Sequence, residues 1–229
     1  MTTSDAASGD AAGDMRRLLP EIEKLAETAS EGLAAKNVAR EASLGRCRDA
    51  IRNSANAIRA VHRGDFALAE ELSGKAGTLL AEAKVALRDH QDIRFAGFVH
   101  DAEKEYAESR LTLAFIANHE SLPRPRDLDV DLPAYLNGLG EAVGELRRYL
   151  LDTLRGGNVE RCEEVLAVMD EVYGILVTFD YPDAMTGGLR RTTDNTRGIL
   201  ERTRGDLSLS MRQRDLEQKL ARFESRLES

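Results

Sequence analysis

Acidic side chains at helical spacing are the residues of this sequence best suited to chemistry. In the segment HDAEKEYAES, Glu105 and Glu108 are three positions apart and would therefore lie on one face of a helix. Phe98 lies one heptad before Glu105, and Phe115 lies one heptad after Glu108, so the two acids interrupt a stripe that is apolar above and below. This placement is unusual for a helix face that meets only solvent.

A second acidic pair opens another predicted helix, in the segment NVERCEEV. Glu160 and Glu164 are four positions apart, share a face and flank an apolar seam. If the two helices are neighbours, four carboxylates converge, and like charges ~4 Å apart repel by on the order of 4 kcal/mol at an effective dielectric near 20. Convergence would require raised pKa values or a bound hard cation, and ligands that are all oxygen favour Mg²⁺ or Mn²⁺ over zinc.

The same residues also fit a simpler interpretation. Glu160 and Glu164 lie in the first turns of their predicted helix, where the helix dipole stabilises acidic side chains by ~0.3–1 kcal/mol whatever the function. Spacing alone does not distinguish a cation site from a solvated helix face. The role of the basic residues Arg190 and Arg191 is likewise undetermined, because an exposed helix face explains them as readily as contact with nucleic-acid phosphates.

Other kinds of catalytic centre find little support. The four histidines show neither an i, i+4 pair nor a Glu-x-x-His pair, which disfavours a ferritin-like di-iron site. No glycine-rich phosphate loop follows a strand, so Rossmann-type chemistry is not expected. Cys47 and Cys162 are far apart and form no disulfide framework, which fits a reduced compartment.

The elements that must position the acids are helices. The 229 residues are 42% hydrophobic but only 5% aromatic, and alanine, leucine, arginine and glutamate are abundant, a composition typical of helical proteins. Apolar spacing, glycines and prolines predict an all-α, up-and-down bundle of seven helices, the first of them one very long rod or two in line. The predicted helices span about 17–62, 66–87, 95–118, 132–155, 159–179, 189–204 and 207–227.

Composition also bounds the domain organisation and the partners. Residues 1–16 are mostly small and polar and predict a disordered tail, which leaves 17–229 as one helical domain. The net charge of −8 repels nucleic acid at long range, so such a partner would need a local basic patch or a shielded cavity. The N-terminus has no secretory signal pattern, and no apolar run reaches the ~20 residues that cross a bilayer, so we expect a cytoplasmic protein without a membrane partner.

From about residue 20 onward the sequence resembles the translin family, which includes translin and translin-associated factor X. The likeness lies in the segments VDLPAYLNGL, GELRRYLLDTLRGGN, MDEVYGIL and GLRRTTDNTRG. The residues that fall at recurring positions of the family are Asp131, Tyr135, Leu136, Gly138, Glu145, Leu146, Arg148, Gly157, Tyr173, Leu189, Arg190, Arg191 and Asp194. The resemblance implies a seven-helix bundle, in agreement with the helices predicted above.

The resemblance also implies an activity. The factor X type is a metal-dependent endoribonuclease with two acids in a QEYVEA-like segment and an Asp/Glu pair, four apart, that opens a later helix. KEYAES supplies Glu105 and Glu108 at the first two positions, and ERCEE supplies Glu160 and Glu164 at the others, with Glu160 departing from the usual Asp. Translin itself is not acidic at these four positions, so the chain is more similar to the catalytic type.

On this resemblance the four glutamates would be catalytic residues and ligands of Mg²⁺ or Mn²⁺, which would assist phosphodiester hydrolysis by lowering the pKa of a bound water. The substrate would be single-stranded RNA, with single-stranded DNA as a second candidate, and Arg94, Arg148, Arg190 and Arg191 are candidate nucleic-acid contacts. Family members assemble into closed barrels, so a homo-oligomer is expected. The alternatives are a translin-like nucleic-acid-binding protein without catalysis and a helical protein-interaction scaffold.

Overall fold

A computed structural model describes residues 15–227, which are helical apart from short turns and loops and contain no strand. A 3-10 turn at Met15–Leu18 leads into the first helix. The helices that follow are α1 (Leu19–His62), α2 (Phe66–Ala86), α3 (Gln91–Arg94), α4 (Phe98–Ile116), α5 (Leu132–Arg155), α6 (Val159–Leu176), α7 (Asp183–Thr186) and α8 (Leu189–Leu227). The all-α bundle predicted from composition and periodicity is confirmed.

The core that positions the acidic residues centres on α5. This helix packs against α4, α6 and α8, while α1 packs along α2 and α4. On α5, Ala142, Val143, Leu146 and Leu150 are each at most 2% exposed and belong to one apolar cluster with buried residues of α4, α6 and α8. Pro133 lies in the first turn of α5, where a missing N–H donor leaves no helical hydrogen bond unmade. The α5 helix is therefore surrounded, and its orientation is determined by three neighbours.

Two helices extend well beyond this core. Helix α1 is 44 residues long, and every side chain from 16 to 35 is exposed, so full burial starts only at Ser43. Helix α8 is 39 residues long, and its side chains from 211 to 226 are likewise exposed. Large apolar residues such as Ile22 and Phe223 lie on these projecting ends.

The helix break predicted at Gly205 is absent, since residues 189–227 form the single helix α8. Gly205 lies inside this helix with open space where a Cβ atom would be, and a glycine there costs only about 1 kcal/mol relative to alanine. Leu200, Thr203 and Leu207 are buried on both sides of the glycine. Their packing offsets the cost, so the predicted helices 189–204 and 207–227 are one.

Smaller differences concern helix ends and the first residues. The helix predicted over 95–118 begins only at Phe98, because Gly97 has φ 96° and separates it from the short α3. The disordered tail predicted over 1–16 lies outside the described residues, apart from Met15 and Arg16 in the 3-10 turn. No helix in the described range is both long and apolar enough to cross a membrane.

Candidate functional site

The candidate site begins with a close approach between α4 and α5. A Cβ atom on Gly138 of α5 would lie 2.7 Å from the carbonyl oxygen of Lys104 and 3.0 Å from the Cβ of Ala107, both on α4. Only glycine permits this separation, because it has no side chain to hold the two backbones apart. Ala134, one turn earlier on α5, is fully buried. Residues that follow Gly138 on the same face of α5 are therefore brought next to α4.

Three carboxylates meet at this contact. Glu105 and Glu108 come from α4, and Glu141 comes from α5, one turn after Gly138. One ligand oxygen from each of the three glutamates lies within 4.8 Å of those of the other two. The i, i+3 spacing places both α4 acids on one helix face, as the sequence predicts. We call Glu105, Glu108 and Glu141 the acidic cluster.

Glu108 is the most buried member of the acidic cluster. It is 8% exposed, whereas Glu105 and Glu141 are half-buried. Burial, followed by the negative charges of Glu105, Glu141 and Glu145, raises the pKa of Glu108 to about 8. Among the described residues Glu108 forms no ion pair of its own. Its carboxyl therefore stays largely protonated at neutral pH in the absence of a bound cation, even though the charge of Lys104 opposes the shift.

Lys104 supplies the positive charge nearest to the acidic cluster. Its Nζ donates a hydrogen bond to Oε1 of Glu141 at 2.8 Å and lies 3.6 Å from Oε1 of Glu105. Burial alone would lower the pKa of Lys104, but the hydrogen bond and the charges of Glu141, Glu105 and Asp101 outweigh it and raise that pKa. Burial raises the pKa of Glu105, although Lys104 opposes the shift. The Lys104 ammonium thus pairs with two of the three acids, Glu141 and Glu105.

A fourth acid, Glu145, continues the row one turn further along α5. Its Oε2 contacts Nε2 of His62, whose side chain is only 5% exposed at the end of α1. The hydrogen bond from His62, helped by the charges of His62 and Arg148, lowers the pKa of Glu145 despite burial. Arg148 lies 3.9 Å from the same oxygen. Glu145 is therefore held as a carboxylate at the border of the acidic cluster.

The structure does not bring the other two predicted acids to this place. Glu160 is exposed at the start of α6, and Glu164 is exposed with its carboxylate 3.0 Å from NH1 of Arg161. Helix α6 packs mainly against α5 and α8, and the group of converging acids contains neither residue. The prediction that these two complete the cluster is corrected: both are solvated, and the dipole at a helix start accounts for acids there.

Sequence reasoning does not predict Glu141 or Glu145 as site acids, although Glu145 falls at a recurring position of the family and the signal for both is present in AYLNGLGEAVGEL. The two acids are four positions apart, as the α6 pair is. Unlike that pair, they continue a stripe of small residues, Ala134 and Gly138, at spacings of four, three and four. Small residues on one helix face indicate that another helix approaches closely. Acids in line with such a stripe are the ones that a neighbouring helix will face.

The four arginines predicted to contact nucleic acid lie in different places. Arg148 is exposed at the border of the acidic cluster. Arg94 is half-buried, with its guanidinium 3.7 Å from the carboxylate of Asp131. Arg190 and Arg191 are both exposed at the start of α8. Of the four, Arg148 is the one placed beside the acids.

A cavity of about 160 Å³ adjoins the acidic cluster between α5 and α8. Glu141 forms part of its wall, together with the polar residues Thr192, Asn195 and Thr196. The larger clefts at the end of α5 and beside α7 contain no member of the acidic cluster in their walls. This cavity is therefore an open space in direct contact with one member of the acidic cluster, Glu141.

Comparisons with known proteins identify relatives of this chain, although no family model matches it. Uncharacterized protein MJ0175 of Methanocaldococcus jannaschii is 30% identical over 193 residues, which are 84% of this chain and 85% of that protein. The solved structure of AfC3PO is 34% identical with a TM-score of 0.75, and AfC3PO in complex with duplex RNA is 33% identical with a TM-score of 0.73. Each covers 82% of this chain and 97% of its own. Apo-NeC3PO, at 20% identity and a TM-score of 0.67 over 88% of this chain and all of its own, shares the fold.

Proposed function

This chain belongs to the translin family, as do the C3PO proteins that it resembles in sequence and fold, and from that premise we propose that it is a cation-dependent endoribonuclease acting at the acidic cluster. This function combines nucleic-acid binding with phosphodiester cleavage. The observation that carries the proposal is the convergence of Glu105, Glu108 and Glu141 between α4 and α5.

The acidic cluster fits a hard divalent cation such as Mg²⁺ or Mn²⁺. All three donors are carboxylate oxygens, which hard cations prefer to nitrogen or sulfur. Glu108 is buried among negative charges that raise its pKa, so a positive charge at the cluster would favour its ionised form. When bound, a divalent cation supplies Lewis acidity and offsets negative charge on a phosphodiester that is being cleaved.

The acidic residues and Arg148 would have separate roles in this function. Glu105, Glu108 and Glu141 would hold the cation. Glu145, kept ionised by His62, would orient a water by accepting a hydrogen bond at the border of the acidic cluster. Arg148 lies beside Glu145 and is exposed, so its guanidinium can pair with a phosphate oxygen close to the acids.

RNA is the proposed substrate, and the relatives support it. AfC3PO has been solved with duplex RNA, and it shares 33% of its residues with this chain over nearly its whole length. The net charge of −8 opposes non-specific attraction to phosphates, so the contacts that hold RNA must be local. Single-stranded RNA is the preferred form in this proposal, because cleavage at a recessed cluster requires a strand that can enter it. Single-stranded DNA is the second candidate.

The proposal includes a homo-oligomer in the form of a closed barrel. The projecting ends of α1 and α8 expose large apolar residues, among them Ile22, Leu25, Leu216 and Phe223. Exposed apolar surface of this kind favours association with further copies. An enclosed chamber would separate the site from the acidic outer surface.

The direct test is cleavage of end-labelled single-stranded RNA by the purified chain with Mg²⁺, with EDTA, and with EDTA followed by excess Mn²⁺. We expect internal cleavage products with Mg²⁺, none with EDTA, and their return with Mn²⁺. Parallel reactions with duplex RNA and single-stranded DNA rank the substrates. Size-exclusion chromatography with light scattering measures the assembly.

The control is Glu105→Gln, purified in the same way, which detects a contaminating nuclease. It should give no products while its circular dichroism spectrum stays helical. Cleavage that persists in EDTA or in Glu105→Gln would overturn the cation-dependent mechanism. Salt-sensitive retention of RNA without products would instead establish a binding protein without catalysis, and capture of one stoichiometric protein without RNA would establish a scaffold.

A further inference from the structure

Lys104 is the basic residue whose ammonium contacts the acidic cluster within the described part of the chain. It lies on α4 directly before Glu105, and its side chain is 22% exposed, so it is packed against the site. The nitrogen contacts two of the three carboxylates, at 2.8 Å for Glu141 and 3.6 Å for Glu105. It also joins α4 to α5 at the point where the acids meet.

The Lys104 ammonium and a divalent cation bound at the acidic cluster would contact the same carboxylates. The Glu141 oxygen that accepts a hydrogen bond from Lys104 directs a lone pair at that nitrogen. A cation ligated by this carboxylate would lie close to the ammonium, and two positive charges at such a distance repel. A cation that takes this lone pair displaces Lys104 from Glu141, and the lost ion pair weakens cation binding by the same free energy.

Lys104 has a second acidic neighbour to which it can turn. Asp101 lies one turn earlier on α4, is exposed, and is close enough for its charge to act on Lys104. Residues three positions apart on a helix share a face, so the side chain can exchange partners by rotation about its own bonds. The exchange leaves the backbone contact at Gly138 untouched.

We infer that Lys104 is an internal competitor for the cation at the acidic cluster: without a cation its ammonium pairs with Glu141 and Glu105, and the loss of these contacts sets how tightly a cation binds. This inference rests on the proposed function of the cluster as a cation site. Its consequence is a preformed site of weakened affinity, whose occupancy follows the concentration of divalent cation.

Direct Mn²⁺ binding to the full chain, followed by electron paramagnetic resonance of the free ion, tests the inference. Lys104→Met removes the ammonium, keeps a long side chain, and should bind Mn²⁺ about 10-fold more tightly than the unaltered chain. Arg110→Gln is the matched control: Arg110 is on the same helix, is 23% exposed, and pairs with Glu70 of α2. It should change the Mn²⁺ affinity by less than about twofold.

The outcomes separate the two proposals. Lys104→Gln replaces Lys104→Met if the latter does not fold, and the same tightening is expected. If the unaltered chain binds Mn²⁺ and the folded Lys104 variant binds it equally or less tightly, the inference is overturned and the cation site stands. If no variant binds Mn²⁺, or if Glu108→Gln leaves binding intact, the proposed cation site fails, and the inference fails with it.

Discussion

Two acidic pairs in this chain have the same spacing and different surroundings. Glu141 and Glu145 on α5, and Glu160 and Glu164 on α6, are each four positions apart, but only the α5 pair lies beside acids of another helix. The difference is the surface opposite them: α5 meets α4 closely at Gly138, whereas Glu160 and Glu164 are exposed on α6. A carboxylate pair therefore acquires its chemistry from the element that packs against it.

The two regions also differ in their effect on the fold. At the start of α6, the helix dipole stabilises the acids, and Arg161 pairs with Glu164. Between α4 and α5, burial and like charges oppose ionisation of Glu108 and raise its pKa. The chain keeps this unfavourable arrangement while apolar packing around α5 supports it. Perturbed carboxyl groups of this kind are typical of functional sites.

The largest expected effect is on the rate of RNA cleavage, and it distinguishes the α5 pair from the α6 pair. Mutation of a residue that only supports a metal ligand lowers metal affinity or activity by about 10–100-fold, and Glu141 would itself be a ligand. Glu141→Gln should therefore lower the rate of RNA cleavage by at least about 100-fold. Glu160→Gln should leave the rate within about twofold, since an exposed surface substitution is nearly neutral. Initial rates at saturating Mg²⁺ measure both. An equal loss of cleavage rate in the two variants would show that the α6 pair also contributes to the site.

The next effect is on the free energy of unfolding, and it tests the close contact between α4 and α5. Gly138→Ala should lower the free energy of unfolding by about 1–3 kcal/mol, because the new Cβ would meet a backbone carbonyl that cannot turn aside. Gly174, inside α6, has open space around it, so Gly174→Ala should raise that free energy by up to about 1 kcal/mol. Urea denaturation followed by circular dichroism compares them. A Gly138→Ala variant as stable as the unaltered chain would contradict the close contact.

The smallest effect is a pH dependence of stability without divalent cation. The pKa of Glu108 is about 8 in the folded chain and returns toward 4.5 on unfolding, so between these values the folded state binds the proton more tightly. Its contribution to stability is therefore full at low pH and falls as pH rises through this window. Between about pH 6 and pH 7 this fall is on the order of 1–2 kcal/mol, and Glu108→Gln should remove it.

Urea midpoints in EDTA across a pH series measure this difference. Glu164→Gln serves as the control, because Glu164 is exposed, pairs with Arg161 and is not part of the acidic cluster. A Glu108→Gln variant with the same pH dependence as the unaltered chain would show that Glu108 titrates normally.

Most helices follow from local signals in the sequence. Asp65 caps α2 by accepting a hydrogen bond from the N–H of Leu68, and Pro133 marks the first turn of α5. Gly205 is the exception, since a glycine is a helix-ending signal only where packing does not outweigh it. The burial of Leu200 and Leu207 on either side of Gly205 keeps the helix continuous there. The local sequence pattern does not show this packing.

The sequence by itself determined that Glu105 and Glu108 share a helix face, because helical periodicity is a property of the local backbone. It also carried the resemblance to the translin family. Only the tertiary structure decided that Glu141 faces them, and that Lys104 bridges the two helices. The physical reason is that the meeting of two helix faces depends on how every helix of the bundle packs, and at Gly138 that packing brings the α4 and α5 backbones close enough for their acids to meet.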